Sequence, residues 1–509
     1  MTRHKTECLV LPAAAAEGLA ADPVGKLRPI PAPAAEPAAF TLMDSFDGTV
    51  ARRPAMLLEL GDRLDYWGAD GAALSQTAAR QGDFVADLAD GPVKEALRGV
   101  PALRSLMPVG SGTLETTRVA YVDDEAKTQA RARLHLLTGE GGGRVAVATV
   151  EGLRGYDKAF AQVADALRAR GGAPMGARAV IPLLFPDHAP YDAKPDIPIG
   201  PEDAAFDVAS DIIAAHLGVA RRNEAGMVAD LDTEFLHDYR VALRKIRSVL
   251  SLFRGVYSEA QTQALKARFS ALMAPTGRLR DLDVYLLERE GVYALLPESL
   301  HGGLDRMFAM FAEERAAEHA RLVRHLRSAA YETEIAKLEK LFARRRKLAR
   351  GPAADRPAHA FASRLIWKRY RRICRIAAAI DADTPDAEVH ELRIHCKKLR
   401  YLMEFFAPAF PRQACKRLIK ALKRLQTTLG DFNDHAVQQE SLTAFLAGLD
   451  PKDHDRNLDL AQSVGALIAV LHQRQLEARA RVVSSFAEFN SPETQASFRE
   501  LFHAGKESA

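Results

Sequence analysis

The residues of this sequence most suited to chemistry are cations repeated at the spacing of one helix face. The first set lies in segment 236–247 and consists of His237, Arg240, Arg244 and Arg247. At 100° per residue these four positions fall within about 80° of one another. Guanidinium groups bind phosphate oxygens in a bidentate manner, and lysine supplies a mobile positive charge. The spacing therefore predicts a helix that presents a phosphate-binding stripe.

The same pattern occurs a second time. Segment 389–400 aligns without gaps on segment 236–247. The matching positions of the second copy are His390, Arg393, Lys397, Lys398 and Arg400, and Lys245 is the counterpart of Lys398. A further echo places Leu279–Asp283 on Leu429–Asn433. Two copies at matching positions predict two similar helical bundles that face each other.

Two more predicted helices carry cations on one side. These additional positions are Arg364, Lys368, Arg371, Arg372, Arg375, Lys416, Lys420, Lys423 and Arg424. Residues 364–424 contain 16 basic against 6 acidic side chains. Like charges one helical turn apart repel each other, so a bound polyanion would relieve the repulsion. A solvated helix surface is the alternative interpretation of each stripe.

The positions of the aromatic residues near these stripes indicate which kind of polyanion fits them. Single-stranded nucleic acids are usually held by bases stacked on aromatic rings. The aromatic residues of these helices lie off the basic faces or at their margins, and they are Tyr239, Trp367, Tyr370 and Tyr401. Inorganic polyphosphate, which has no bases, fits better, with other polyanions as secondary ligands. A nucleic-acid-binding helical protein stays open, because duplexes can be gripped through phosphates alone.

Neither a metal nor a cofactor is expected. The two histidines lack carboxylate or thiol partners at metal-ligand spacing. The acidic residues Asp281, Asp283, Asp431 and Asp434 stand where helices are predicted to begin, so we expect them to cap helix N-termini.

The elements that carry the cations are helices. Beyond residue 202 glycine and proline become sparse and the apolar residues follow a helical period. Helices are predicted near residues 203–222, 232–254, 259–274, 279–290, 303–328, 332–348, 357–379, 386–407, 412–428, 431–447 and 455–486, with a short one at the end. The pattern predicts an all-α domain over 202–509, with repeats at about 202–350 and 356–509.

The first part of the chain differs in character. Alternating polarity predicts strands at Ala55–Leu60, Lys127–Leu137 and Arg144–Val150, and a helix at Ala159–Arg170. Residues 1–182 thus form an α+β domain, in which an Ala/Pro-rich insertion at 12–40 is expected to be flexible. A proline-rich linker is expected at 183–201.

Charge and cysteine content place the protein among soluble chains. The first 201 residues contain 22 basic and 25 acidic side chains, whereas the remainder contains 48 basic and 41 acidic ones. Four scattered cysteines without a CxxC pair indicate reduced thiols. The N-terminus lacks the apolar core of a signal peptide, and no apolar run reaches membrane-spanning length. A cytoplasmic location is expected.

Segments His237–Arg247 and His390–Arg400 resemble the signature of the CHAD family, a histidine-containing α-helical domain. The resemblance covers roughly 202–509. It implies two pseudo-symmetric four-helix bundles around a basic groove or pore. It also implies polyphosphate binding through the basic positions named above, association with polyphosphate granules, and no catalysis by this domain.

The first part resembles a degenerate CYTH domain, an antiparallel β-barrel of the triphosphate-tunnel type. The resemblance rests on a strand at Lys5–Leu11, the segment Leu42–Asp47 and the alternating strands that follow. It implies a Glu-x-Glu-x-Lys motif on the first strand, where this chain has Lys5, Glu7 and Leu9. We therefore expect a non-catalytic domain. The rival is a triphosphate-hydrolysing or cyclase enzyme, which needs a metal-binding carboxylate cage.

Three basic residues of the first part, Lys127, Arg131 and Arg133, alternate onto one face of a predicted strand. They could retain anion binding, or they could form an ordinary solvated face.

Overall fold

The structure is a computed structural model that describes residues 5–33, 35–71, 73–381, 383–450 and 454–503. The chain divides into two compact units, one up to Ala193 and the other from Lys194 onwards. The boundary falls within the proline-rich segment 183–201.

The first unit is built on an antiparallel sheet. Its strands are β1 (Thr6–Pro12), β2 (Arg28–Pro31), β3 (Ala38–Ser45), β4 (Ala55–Leu60), β5 (Arg63–Gly68), β6 (Ala73–Thr77), β7 (Leu106–Val122), β8 (Thr128–Gly139), β9 (Arg144–Gly152) and β10 (Ala173–Pro174). The strand order is β10-β1-β9-β8-β7-β3-β4-β5-β6, with β2 paired to β7. Among the described residues the end strands β10 and β6 do not pair with each other. The sheet is therefore open, whereas the sequence predicted a barrel.

Short helices cover this sheet. They are α1 (Ala13–Leu19), α2 (Pro92–Ala96), α3 (Asp157–Ala169) and α4 (Ala177–Leu184). One apolar core packs α1 and α3 on one side of β1 and its neighbours, and a second core packs α4 on the other side. The alternation of β1 accounts for this arrangement, because Leu9 and Leu11 enter the first core while Cys8 and Val10 enter the second.

The segment 12–40 is more ordered than its composition suggested. It contains α1, β2 and the beginning of β3, and Leu19 and Leu27 are buried in the core that covers β1. The expectation of a flexible insertion was wrong, because two leucines among the alanines and prolines are enough to bind the segment to the sheet.

The second unit is helical. Its helices are α5 (Ala205–Ala229), α6 (Thr233–Leu252), α7 (Glu259–Met273), α8 (Gly277–Leu287), α9 (Arg289–Tyr293), α10 (His301–Leu326), α11 (Ala329–Arg344), α12 (Ala358–Ala377), α13 (Asp386–Phe406), α14 (Arg412–Ala447), α15 (His454–Ala480), α16 (Val482–Phe489) and α17 (Pro492–Phe502). Helix α5 packs on α6 in the first repeat, as α12 packs on α13 in the second. Helix α6 also contacts α13.

The two repeats share a core. One apolar cluster combines residues 282–311 of the first repeat with residues 442–471 of the second, and Phe308, Phe311, Leu442 and Leu460 are buried in it. Helices α8 and α10 thus pack with α14 and α15 around a common centre.

Helix α14 runs without interruption for 36 residues, where the sequence predicted two helices. Gly430 and Asp431 suggested a break. The helix continues because Leu418, Leu422, Leu425, Leu429 and Phe432 form an unbroken buried stripe. Burial of that stripe outweighs the cost of about 1 kcal/mol for a glycine inside a helix.

The continuous helix also corrects the expected capping roles. Asp431 and Asp434 lie in the middle of α14, and Asp281 and Asp283 lie inside α8, so none of the four caps a helix. Asp232 has that role for α6, where its carboxylate accepts hydrogen bonds from the backbone N–H groups of Glu234 and Phe235.

Candidate functional site

The cationic stripes of α6 and α13 are set by the apolar faces that anchor these helices. In α13 the buried residues Val389, Leu392, Cys396 and Leu399 hold one side of the helix in the core. The neighbouring side carries Arg393, Lys397 and Arg400. Helix α6 repeats the arrangement, with Leu236, Leu243 and Ile246 buried and Arg240 and Arg244 half-buried beside them.

The two stripes approach each other where α6 contacts α13. Burial and then the charge of Arg244 on α6 lower the pKa of Lys397 on α13. On α6 itself, burial and then the charge of Arg244 lower the pKa of Arg240. Arg240 is fixed by a hydrogen bond of 2.6 Å from its guanidinium to Oγ1 of Thr276. Cations from both repeats therefore belong to one electrostatic cluster.

A cavity of about 490 Å³ opens between α13 and α14 at this cluster. The residues that line it are Arg393, Lys397, Arg400, Lys423, Gln426, Thr427 and Gly430. Four of the seven are cations. A Cβ atom at Gly430 would meet nothing within 4 Å, so the glycine leaves this wall of the cavity open.

Lys397 lies among several like charges that repel its own. Burial, followed by the charges of Arg244, Arg393 and Arg400, lowers its pKa to about 8, although the charge of Asp434 acts in the other direction. Asp434 is itself engaged, since its carboxylate pairs with Arg393 at 3.3 Å. In the described part of the chain, Lys397 forms neither a hydrogen bond nor an ion pair. The site thus contains more positive charge than its acids neutralise.

Three buried donors around the cluster have no acceptor among the described residues. They are Nε of Arg244, Nε of Arg400 and Nε2 of Gln426. A carboxylate oxygen of Glu404 stands 3.7 Å from Nε of Arg400, which is too far for a hydrogen bond. Buried donors are almost always paired in folded proteins. An anion in the cavity would supply acceptors for the donors of Arg400 and Gln426, which line it.

The two repeated histidines lie next to the cluster but do not line the cavity. Nδ1 of His390 and the side-chain oxygen of Asn433 on α14 are 2.6 Å apart, within hydrogen-bond distance. Asn433 is the residue that matches Asp283 in the sequence repeat. His390 thus holds α13 to α14, while His237 is half-buried on α6.

Comparison with known proteins gives the affiliation of this region. Residues 211–443 match the family model of the CHAD domain. This part of the chain is a CHAD domain. The match includes α6, α13 and most of α14, and therefore the whole cavity. No curated protein matches the sequence.

The solved structures that are similar to the chain include the following two. The CHAD domain from the plant Ricinus communis is 24% identical, with a TM-score of 0.48, and the match covers 60% of this chain and 97% of that one. PptA from Streptomyces chartreusis is 15% identical, with a TM-score of 0.43, and the match covers 56% of this chain and 99% of that one.

The other cations predicted from the sequence lie outside the cavity of the CHAD domain. Arg247 is exposed, and its guanidinium contacts Sδ of Met273 at 3.2 Å. The exposed cations without a place in the cavity lining are Arg364, Lys368, Arg371, Arg372, Arg375, Lys416, Lys420 and Arg424. Lys245 is half-buried, and its charge lowers the pKa of His216.

Sequence reasoning missed a second cationic cluster in the CHAD domain. Arg369 of α12 donates a hydrogen bond of 2.8 Å to Nδ1 of His395 on α13. Burial and then the charge of Arg254 lower the pKa of Arg369, and burial and then the charge of Arg369 lower the pKa of Lys398. Glu391 partly compensates, through an ion pair of 2.8 Å with Arg372. Arg254, in the turn after α6, and Arg369 on α12 are far apart in sequence, so no local spacing could reveal their proximity.

The first unit positions its motif residues on the side of the sheet that α1 and α3 cover. Glu7 pairs with Arg168 of α3, and Leu9 enters the core beneath α1 and α3. The opposite side borders a cavity of about 640 Å³, lined among others by Cys8, Arg118 and Arg133. Lys5, Glu7 and Leu9 therefore share the face that points away from this cavity.

Arg133 is the one residue of the predicted basic trio that lines this cavity. It stands opposite Arg118 on the neighbouring strand and pairs with Glu151. Arg131 lies in a shallower depression beside it, and Lys127 lies over the ring of Tyr156, at 5.7 Å. In the described residues no group of three or more His, Cys, Asp or Glu side chains is arranged to hold a metal ion.

Proposed function

We propose that the CHAD domain of this protein binds inorganic polyphosphate, without catalysis, in the cavity between α13 and α14. The observation that carries the proposal is the set of three buried donors without acceptors beside Arg393, Lys397, Arg400 and Lys423. The CHAD family is linked to polyphosphate binding, which agrees with this chemistry.

The composition of the cavity favours phosphate over nucleic acid. None of the residues that line it is aromatic. Tyr239 is buried and hydrogen-bonded to Tyr331, and Tyr370 is stacked on Phe498 in the core. The ring of Tyr401 lies 5.7 Å from the guanidinium carbon of Arg400, but it does not line the cavity. Inside the cavity bases would find no ring to stack on, whereas a chain of phosphates needs only the donors and charges present.

The first unit is proposed to be non-catalytic as well. A triphosphatase or cyclase of the tunnel type needs carboxylates that hold metal ions next to the substrate. Glu7 is engaged by Arg168 and faces away from the cavity of this unit. This geometry supports the view that a tunnel-type motif has been lost.

The proposed location follows from the proposed ligand. None of the described helices combines the length and hydropathy that a bilayer-spanning segment requires. We propose that the protein resides in the cytoplasm and that polyphosphate recruits it to granules.

A calorimetric titration with long-chain polyphosphate tests the proposal. The triple substitution Arg393→Ala, Lys397→Ala and Arg400→Ala should nearly abolish binding and leave the helical circular dichroism unchanged. The matched control is Lys368→Ala, Arg371→Ala and Arg375→Ala. It also removes two arginines and one lysine, but from the exposed face of α12. The control should retain most of the affinity.

The alternative ligand is tested with the same protein. Duplex DNA of equal total charge should compete poorly with polyphosphate. Equal competition, or an equal loss of affinity in the α12 control, would mean that the protein holds any polyanion on a general basic surface.

A further inference from the structure

Lys397 lines an open cavity, and in the described residues its side chain has no hydrogen-bond or ion-pair partner. Arg393 and Arg400 line the same cavity, and the charge of Arg244 on α6 also acts on Lys397. An amine thus stands inside a group of cations suited to hold a phosphate.

Burial and the neighbouring cations also keep a larger fraction of this amine neutral than in an ordinary lysine. With a pKa of about 8, roughly a tenth of Lys397 is neutral at pH 7. An ordinary lysine, with a pKa near 10.4, is neutral in fewer than about one molecule in a thousand at that pH. Only the neutral amine carries the lone pair that attacks a carbonyl carbon.

We propose that Lys397 is a site of acylation by small acyl phosphates, whose phosphate group is held by Arg393 and Arg400. The amine nitrogen attacks the acyl carbon and forms a C–N bond. The C–O bond to phosphate breaks, and the phosphate leaves with the electron pair. The proton lost by the nitrogen passes to the departing group, so the products are an amide and hydrogen phosphate. The guanidinium groups stabilise the charge that develops on the leaving oxygen.

Acylation would regulate the site, an effect that rests on the proposed function. The amide has no charge and adds bulk to a cavity of about 490 Å³. Polyphosphate would lose one contact and meet a narrower space. We expect a weakening of at least tenfold.

The test treats the full-length protein with acetyl phosphate at pH 8 and follows each lysine by peptide mass spectrometry. Lys420 serves as the internal control, because it is exposed on α14 outside the cavity. Lys397 should react at least about tenfold faster than Lys420. Inorganic phosphate should slow Lys397 and leave Lys420 unaffected, and Arg400→Gln should slow Lys397 several-fold.

A further arm separates recruitment through the phosphate group from the reactivity of the amine alone. An uncharged acetylating reagent, N-acetoxysuccinimide, should show a smaller preference for Lys397, because it has no phosphate for the guanidinium groups to hold. Equal rates at Lys397 and Lys420, or no effect of inorganic phosphate, would overturn the proposal.

The regulatory consequence is tested on polyphosphate affinity. Acetyl phosphate should weaken binding by the unaltered protein, and Lys397→Arg should remove this sensitivity. If Lys397 is selectively acetylated but untreated protein does not bind polyphosphate, the acylation site stands and the proposed function fails. If untreated protein binds polyphosphate but Lys397 is not acetylated faster than Lys420, the proposed function stands and the acylation site fails.

Discussion

Arg393 illustrates how much a single cation of the cavity should contribute to polyphosphate binding. Its guanidinium lines the cavity and also pairs with Asp434 at 3.3 Å. Polyphosphate carries about one charge per unit, so many contacts share the binding energy. We expect Arg393→Ala to cost about 1–2 kcal/mol, the size of a charge-assisted hydrogen bond. Titration calorimetry should show a loss of several-fold and below about a hundredfold. A complete loss of binding would mean that Arg393 maintains the structure of the site rather than contributing one of many equivalent contacts.

Lys397 predicts a pH dependence of binding. Its pKa of about 8 in the free protein should rise when phosphate groups surround it. The contribution of its charge to affinity is therefore complete below pH 8 and is lost as the pH rises through the pKa of the bound state. Polyphosphate affinity should fall between pH 7 and pH 10.

Lys397→Arg provides the control for that dependence, because arginine stays protonated over this range. Its affinity should vary much less with pH. A parallel decline in both proteins would assign the effect to another group.

At the scale of elements, α14 connects the cavity to the core shared by the repeats. Gly430 lies inside this helix and borders the cavity, with free space where a Cβ would stand. We expect Gly430→Ala to stabilise the protein by roughly 0.5–1 kcal/mol, because alanine loses less backbone entropy in a helix. Urea denaturation followed by circular dichroism measures the change.

Gly226→Ala is the matched control, since Gly226 also lies inside a helix, α5. A Cβ atom there would overlap the ring of Phe235, so this substitution should destabilise the protein. If both glycine substitutions shift the denaturation midpoint in the same direction, backbone entropy does not explain the effect at Gly430.

The elements that local sequence patterns determine could be predicted, whereas those that depend on long-range packing could not. Most helix boundaries, such as those of α6 and α13, lie within a few residues of the prediction because periodicity and end signals are local. The segment 12–40 was misjudged because Leu19 and Leu27 acquire meaning only through the core they enter. The cations of α13 and Arg244 of α6 were visible in the sequence, but the closeness of Arg244 to Lys397 and the place of Gln426 in the site are visible only in three dimensions.

At the scale of the molecule, net charge says little about the ligand, because the basic excess is concentrated in the helical unit. Binding should depend steeply on salt, since each phosphate contact displaces counterions. Four to six contacts imply a fall in affinity of roughly 100- to 1000-fold between 50 and 200 mM salt. Affinity that does not change over this range would exclude the electrostatic mechanism.

The sheet unit should not turn over triphosphate or ATP with Mg²⁺ or Mn²⁺, because Glu7 is held by Arg168 on the face that α1 and α3 cover. A phosphate-release assay on the full chain should give the same signal for the unaltered protein and for Glu7→Ala. Turnover that disappears on Glu7→Ala would show that the carboxylate serves a metal after all.

The unbroken course of α14 restricts how this protein can vary in length. Lys423 faces the cavity and Leu442 enters the shared core, and the 36-residue helix fixes the angle between them. A single inserted residue between them would rotate everything beyond it by about 100°, and no turn is available to absorb the twist. An insertion of seven residues nearly restores the orientation. Natural insertions and deletions should therefore occur near residue 450 rather than within 424–441. Most length changes within 424–441 would turn either the cavity residues or the buried core residues out of position.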